Sequence, residues 1–454
     1  MNASSVAHLI DVGSTWTKGL AVALPGGELL ARHQHPTTLA EGIMQGVGQV
    51  VEQLSGMSDA PVAFRAATSS AAGGLRVAAI GLVPDLTGVA ARQASLGAGA
   101  RVVFSGSFVL APDEIEALRQ ARPDIVLLSG GTDGGNTEVI TRNARLLAEA
   151  ALPATVVLAG NKSARSEVQA ILRCAGYEVR IADNVLPSID TLRTESAQAA
   201  IRDVFLERIV HARGIDALRT WASGGLLPTP RAVLDAAAFL AEGPGGLGML
   251  VVVDIGGATT DVHSIGGSDP PAGTLLRGLA EPHHKRTVEG DLGLRVSATA
   301  AADALGVDEL SRTLGTSNTQ LLEEAQRRVD QPATVQEGDG FDRAFTIAAV
   351  AEALRRHAGR LERSVISRET WFQVGKDLRP AKALIASGGV FAARADARDL
   401  LAAALQRARD GERLLPEAPQ LYVDRDYVLF AVGLLAAAHP DAARALALRS
   451  LSPN

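Results

Sequence analysis

Runs of β-branched and other apolar residues alternate with Ala/Leu/Arg-rich segments of helical period along almost the whole chain. That rhythm predicts an α/β protein. The first apolar run, 8–12, leads through Gly13-Ser-Thr-Trp-Thr-Lys18 into a second at 19–24, and Pro25-Gly-Gly turns the chain into a third at 28–32. A weak helix over 43–54 and a strand over 61–65 follow. Between 77 and 192 the alternation is regular, with strands at 77–81, 101–104, 124–128, 155–159 and 177–181. Helices fit between them at 86–96, 112–121, 141–151 and 163–174, with Pro112 and Ser163 as helix starts. Strands separated by helices pair in parallel through right-handed crossovers, so this stretch reads as a doubly wound sheet of its own. Helical segments at 196–222 and 231–241 precede the linker Glu242-Gly-Pro-Gly-Gly246 and the most apolar strand of the chain, 248–254. Beyond Gly290 the pattern is largely helical up to Arg368. A strand at 383–387 then runs into Gly388-Gly389, and a helix spans 427–437.

At 454 residues the chain suggests about three domains or lobes. A hydrophobic share of 47% with 21% charged residues excludes global disorder. The net charge of −6, without a basic block, offers no footprint for nucleic acid or an anionic membrane. One cysteine, Cys174, allows no intrachain disulfide, which suits a reducing cytosol. It sits on an Ala/Leu-rich helical stretch, where a buried, inert thiol is expected. The first residues lack a basic segment followed by an apolar one, so no signal peptide is expected. The apolar stretch 427–438 falls short of the about 20 residues a bilayer span needs.

Two segments share one pattern. Leu9-Ile-Asp11-Val-Gly13-Ser14-Thr15-Trp-Thr-Lys18 and Val253-Asp254-Ile-Gly256-Gly257-Ala-Thr259-Thr260-Asp261 both run from an apolar strand through Asp, an apolar residue and Gly to hydroxyl residues and a second strand. Each reads as a β-hairpin whose tight turn carries hydroxyls and backbone N–H groups, an anion nest. A carboxylate beside such a nest suits Mg²⁺ held through water, which makes Asp11 and Asp254 the metal candidates. With Asp261 they are also the candidate catalytic carboxylates. Two matching hairpins far apart in sequence are what gripping one phosphate chain from both sides requires. The third motif, Ser387-Gly388-Gly389, closes a buried-looking strand.

Together the three motifs resemble the actin/Hsp70/sugar-kinase ATPase superfamily: two phosphate hairpins, then an adenosine loop. The resemblance implies ATP or ADP with Mg²⁺ as ligands. Gly13, Ser14, Thr15, Lys18, Gly256, Gly257, Thr259, Thr260, Ser387, Gly388 and Gly389 would form the nucleotide site. It also implies that Gly433 lets two helices cross closely. The fold implied is a two-lobed actin-like ATPase. Residues 1–75, 196–245 and 425–454 form its first lobe, 246–424 its second, and 76–195 an inserted doubly wound α/β domain.

A narrower resemblance rests on Phe64-Arg-Ala-Ala-Thr68-Ser69-Ser70, Leu128-Ser129-Gly-Gly-Thr132-Asp133-Gly-Gly-Asn136, Ala159-Gly160-Asn161-Lys162 and Lys285-Arg-Thr-Val-Glu289-Gly290-Asp291-Leu-Gly293-Leu-Arg295. These segments look like the MutL/GlmL family, encoded beside glutamate mutase and unrelated to the mismatch-repair protein of similar name. The resemblance implies an ATP-dependent accessory or reactivating chaperone for an adenosylcobalamin-dependent mutase or aminomutase. The superfamily leaves a small-molecule kinase and an actin-like or FtsA-like filament protein open as alternatives.

Thr132, Asp133, Asn136, Asn161 and Lys162 follow predicted parallel strands, where doubly wound sheets present their ligand crevice, and are candidates for a partner or ligand loop. Glu289 and Asp291, in a Gly-rich loop after the second hairpin, are candidates for contacting nucleotide or polarising water. His283-His284 lacks a third ligand at helical spacing and reads as a surface pair.

Overall fold

The computed structural model describes residues 4–13, 15–38, 42–70, 75–189, 191–209, 215–243, 245–267, 270, 273–332, 339–363 and 370–451. The chain forms two compact units. One comprises Met1–Gly73, Ala212–Leu275 and His283–Asn454, the other Gly74–His211 with Leu276–Pro282. Residues 196–211, assigned to the first lobe on sequence, therefore fall in the second unit.

Within the first unit one topology occurs twice. In the first sheet Leu29–Pro36, Trp16–Leu24 and Ser5–Val12 form an antiparallel meander, and Val62–Ser69 and Leu226–Pro228 extend it in parallel. In the second, His284–Glu289, Thr260–Ile265 and Leu250–Ile255 form the meander, extended in parallel by Ala383–Ser387 and Gln420–Val423. Three antiparallel strands followed by two parallel ones, repeated, are the duplicated topology expected of an actin-like fold. The Leu250–Ile255 strand, LVVVDI, is apolar on both faces because both are covered. Val251 and Val253 pack with Phe345, Phe391 and Leu400. Leu250 and Val252 join Leu9 and Val22 of the first sheet in a core that includes Leu234 and Val432. Those two come from helices Thr229–Glu242 and Leu429–Leu435, which cross where a Cβ on Gly433 would stand 1.9 Å from the Ala232 carbonyl oxygen.

In the second unit five parallel strands lie in the order Arg101–Ser107, Arg76–Gly81, Ile125–Leu128, Thr155–Leu158, Val179–Ile181. This is the doubly wound arrangement expected. Its strand order reverses between Arg76–Gly81 and Ile125–Leu128, and the Ser129–Asn136 loop follows the second of these.

Several local expectations are corrected. The helix predicted over 86–96 is a π-helical turn, Pro84–Gly88, followed by Val89–Gly97. Ser163 starts no helix, which begins at Arg165 after Ala164. The helical reading to Arg368 fails after His357, where Arg360–Arg363 pairs antiparallel with Trp371–Val374. Residues 364–369 lie outside the described residues. The helix predicted over 427–437 is Leu429–Leu435, shorter at its start because Tyr427 adopts φ 55°, which ends any helix reaching back through it, and a further helix that was not predicted, Pro440–Ser450, follows. Cys174 is exposed, not buried. Val168 and Leu172 define the covered stripe of its helix, and a residue two beyond Leu172 is turned about 200° away.

Candidate functional site

Strand register decides which side chains share a face. In the first hairpin Asp11 pairs with Lys18, and in the second Asp254 pairs with Asp261. Directly opposed residues in an antiparallel pair point the same way, so each hairpin presents two charged groups together. The turns match as well. Gly13 N–H donates to the Trp16 carbonyl at 3.0 Å, and Gly256 N–H to the Thr259 carbonyl at 2.9 Å. They also face each other, since Thr15 Oγ1 lies 3.9 Å from where a Cβ on Gly257 would be. Ser14 lies outside the described residues.

Asp11 is buried, at 2% exposure, and hydrogen-bonded chiefly through one oxygen. Its Oδ1 accepts from Thr68 Oγ1 at 2.8 Å and Thr229 Oγ1 at 2.7 Å, and its Oδ2 from the Tyr427 hydroxyl at 3.4 Å. Lys18 Nζ sits 3.4 Å from the centroid of the Tyr427 ring, a cation–π contact. The Tyr427 hydroxyl is pushed well above its ordinary range by burial and then by the carboxylates of Asp11, Asp254 and Asp424.

Asp254 carries the electrostatic strain of the site. Its carboxyl is pushed up to about 7, first by burial and then by Asp261, with Lys18 opposing and Asp424 and Asp11 adding to the rise. Several carboxylates converging around one lysine is an arrangement that a cation relieves. Asp261 is held in place, Oδ1 accepting from Arg286 Nε at 2.8 Å and Oδ2 from Thr259 Oγ1 at 3.0 Å. Thr260 turns its hydroxyl to the Leu292 carbonyl at 2.6 Å and so braces the following loop. That loop returns over the turn, Leu294 N–H donating to the Gly256 carbonyl and Arg295 N–H to that of Gly257.

Ser387 pairs with Asp254 across the parallel Ala383–Ser387 strand. Its hydroxyl donates to Asp424 Oδ2 at 3.1 Å. Asp424 is fully buried and also accepts from Val428 N–H at 2.8 Å and Leu429 N–H at 3.2 Å, so it fixes the start of the Leu429–Leu435 helix. Gly388, at φ 119°, passes so close to the second hairpin that a Cβ there would stand 2.2 Å from the Ile255 carbonyl oxygen. Gly389 then opens a short helix. Chain can approach chain here only without side chains, and this leaves the loop next to the carboxylate cluster.

Asp11, Lys18, Asp254 and Asp261 thus converge, with the Gly13–Thr15, Gly256–Gly257 and Ser387–Gly389 turns around them. Glu289 and Asp291 make an adjoining cluster, with Glu289 opposite Thr260 across the sheet. Arg356 Nη1 reaches Glu289 Oε2 at 2.9 Å and Asp291 Oδ1 at 2.8 Å, so both acids serve an ion pair. Burial still lifts the Glu289 carboxyl, against the pull of Arg356. The residues that sequence reasoning missed are Tyr427, Asp424, Thr229, Arg286 and Arg356.

In the other unit Asn161 is a buried staple rather than a surface contact. Its Nδ2 donates to the carbonyls of Gly135 and Asn136 at 3.0 and 3.1 Å, and its Oδ1 accepts from Gly134 N–H at 3.1 Å. Gly131, at φ 71°, permits the turn it holds. Asp133 Oδ1 accepts from Lys162 N–H at 3.0 Å and Asn184 Nδ2 at 2.9 Å. Burial works against its ionisation, yet these bonds and the Lys162 and Arg165 charges keep its carboxyl below the ordinary range. Thr132 is half-buried, and Asn136 and the Lys162 side chain are exposed.

The profile of the family described as MutL protein matches residues 7–451. Protein MutL of Clostridium tetanomorphum is 42% identical over 446 residues, covering 96% of either chain. Component A of (R)-2-hydroxyglutaryl-CoA dehydratase from Acidaminococcus fermentans is similar over 97% of this chain and 99% of its own, at 11% identity and a TM-score of 0.35. A ROK family glucokinase from Streptomyces griseus, solved with glucose and AMPPNP, is similar over 94% and 98%, at 12% identity and a TM-score of 0.34.

Proposed function

The chain belongs to the MutL protein family, and from that premise we propose that it binds Mg-ATP between its two hairpins and reactivates an adenosylcobalamin-dependent mutase or aminomutase. The observation that carries the nucleotide reading is the pair of matched turns, Gly13–Thr15 and Gly256–Gly257, brought face to face beside Asp11, Asp254, Asp261 and Lys18. The donor set fits Mg²⁺, a hard cation that takes oxygen ligands and keeps most of its water. Asp11 and Asp254 would hold it, and it would supply positive charge against the phosphates. Lys18 adds a second cation there, and the turn N–H groups donate to the phosphate oxygens as an anion nest. The Ser387-Gly388-Gly389 loop, free of side chains where it meets the second hairpin, leaves room for the adenosine.

Phosphoryl transfer needs positioning and charge neutralisation more than covalent chemistry, and these residues provide both. Loss of the γ-phosphate changes contacts to both hairpins, so ATP and ADP stabilise different lobe angles. In the other unit the Ser129–Asn136 loop, with Asp133 and Lys162 at its rim, offers the surface for the client enzyme. A reconstitution test follows. An inactivated mutase of this class, mixed with the protein, should regain activity with ATP and not with ADP. Equal recovery with both nucleotides, or recovery without the protein, refutes the reading.

A further inference from the structure

We propose that Glu242, His283 and His284 form a binding site for a divalent transition-metal ion of the zinc class. Their ligand atoms lie within 4.8 Å of one another. His283 Nε2 stands 2.5 Å from Glu242 Oε1, and His284 Nε2 3.1 Å from the same oxygen. Two imidazoles and one carboxylate are a donor set that zinc uses with water in the fourth position. Imidazole nitrogen also selects zinc, nickel and copper over magnesium and calcium.

The backbone holds the three residues in place while their side chains, paired with one another, stay accessible to solvent. Neighbouring residues of a strand point to opposite faces. His283 precedes the first residue of the His284–Glu289 strand and escapes that alternation, so both rings reach one carboxylate. The His283 carbonyl is pinned by Lys376 Nζ at 2.8 Å and Gly266 N–H at 3.1 Å, while His284 pairs with Ile265. Glu242 ends the Thr229–Glu242 helix. The side chains are 46% exposed at Glu242, 57% at His283 and 42% at His284, so an ion reaches them from solvent. Zinc bonds of about 2.1 Å in a tetrahedron space their ligands about 3.4 Å apart. The carboxylate and rings therefore spread by less than about 1 Å from their hydrogen-bonded positions when the ion replaces the shared protons.

The bound ion would join two elements that each brace a hairpin. The Thr229–Glu242 helix holds Asp11 through Thr229 at its other end. The His284–Glu289 strand holds Asp261 through Arg286. Binding itself asks nothing of the hairpins, so it is tested separately from the nucleotide reading.

The test uses the full chain freed of metal, titrated with Zn²⁺ by calorimetry and with Co²⁺ by its visible absorption. The expected result is one ion per chain with a Kd of about 1 μM or tighter and a Co²⁺ spectrum of tetrahedral type. The His283→Ala/His284→Ala double variant, whose exposed positions leave the fold intact by circular dichroism, should weaken binding by about a hundredfold or more. Glu242→Gln should weaken it as well. Absence of stoichiometric binding, or an unchanged isotherm in the double variant, overturns the proposal. Loss of the site in Cys174→Ser does so too, by placing the metal on the exposed thiol.

Discussion

Replacing Asp254 by Asn should stabilise the metal-free protein at neutral and alkaline pH. The Asp254 carboxyl titrates at about 7 in the folded chain against 3.8 in its unperturbed state. The interval, 7 − 3.8, is about 3 units, and each unit is worth 1.36 kcal/mol. Holding the ionised group in place thus costs up to about 4 kcal/mol. Below the unfolded value the carboxyl is protonated in both states and costs nothing. The cost grows as pH rises from there and levels off above about 7. The variant's advantage should follow that curve, absent near pH 4 and largest at pH 8. About half of the ceiling, some 2 kcal/mol, is the expected gain at pH 8, since the Asn amide brings N–H donors that the site must satisfy, which the protonated carboxyl does not. Mg²⁺ should shrink the gap by stabilising the wild type alone. Chemical denaturation followed by tryptophan fluorescence reads the correct unit, because Trp16, Trp221 and Trp371, the chain's 3 tryptophans, all belong to the unit that carries the hairpins. A gap that is the same at pH 5 and pH 8, or a variant less stable at pH 8, refutes the electrostatic account.

Asp342→Asn should destabilise by about 3–5 kcal/mol in the same denaturation assay. It strips a fully buried partner from Arg295, at 2.7 and 2.8 Å, and from Arg328, at 2.6 Å. Gly433→Ala should cost about 1–3 kcal/mol, because its Cβ meets the Ala232 backbone at 1.9 Å and the two helices must part. Asn161→Ala should loosen the Ser129–Asn136 loop, seen as faster amide exchange at Gly134, while ATP affinity stays within about twofold.

The hairpins were legible because Asp, Gly and hydroxyls at fixed spacing carry both the turn and the chemistry. Register then follows from the turn, and it explains why Asp11 shares a face with Lys18 and Asp254 with Asp261. The five parallel strands of the other unit were legible for a similar reason. The three central ones, Arg76–Gly81, Ile125–Leu128 and Thr155–Leu158, are short apolar runs buried on both sides between helices of clear period. What escaped was contact between distant residues. Tyr427 reaches Asp11 across 416 positions, and Thr229 does so across 218. No local pattern marks either as a partner. Glu242 supplies the third group beside His283, 41 positions away and at the end of a helix, where a search at helical spacing does not look. Asn161 misled in the opposite direction. A polar residue after a strand suits a surface, but its amide satisfies backbone groups of the Gly-rich loop and is buried in doing so. The ribbon of Arg360–Arg363 and Trp371–Val374 was hidden by the long helical run before it.

Calorimetric titration of the purified chain with ATP in the presence and absence of Mg²⁺ tests the central claim most directly. The account predicts one Mg-dependent site per chain, weakened by about tenfold or more in both Asp11→Ala and Asp254→Ala, since one carboxylate of each hairpin serves the same ligand. Absence of ATP and ADP binding by the folded wild type contradicts it, as does binding that either substitution leaves unchanged.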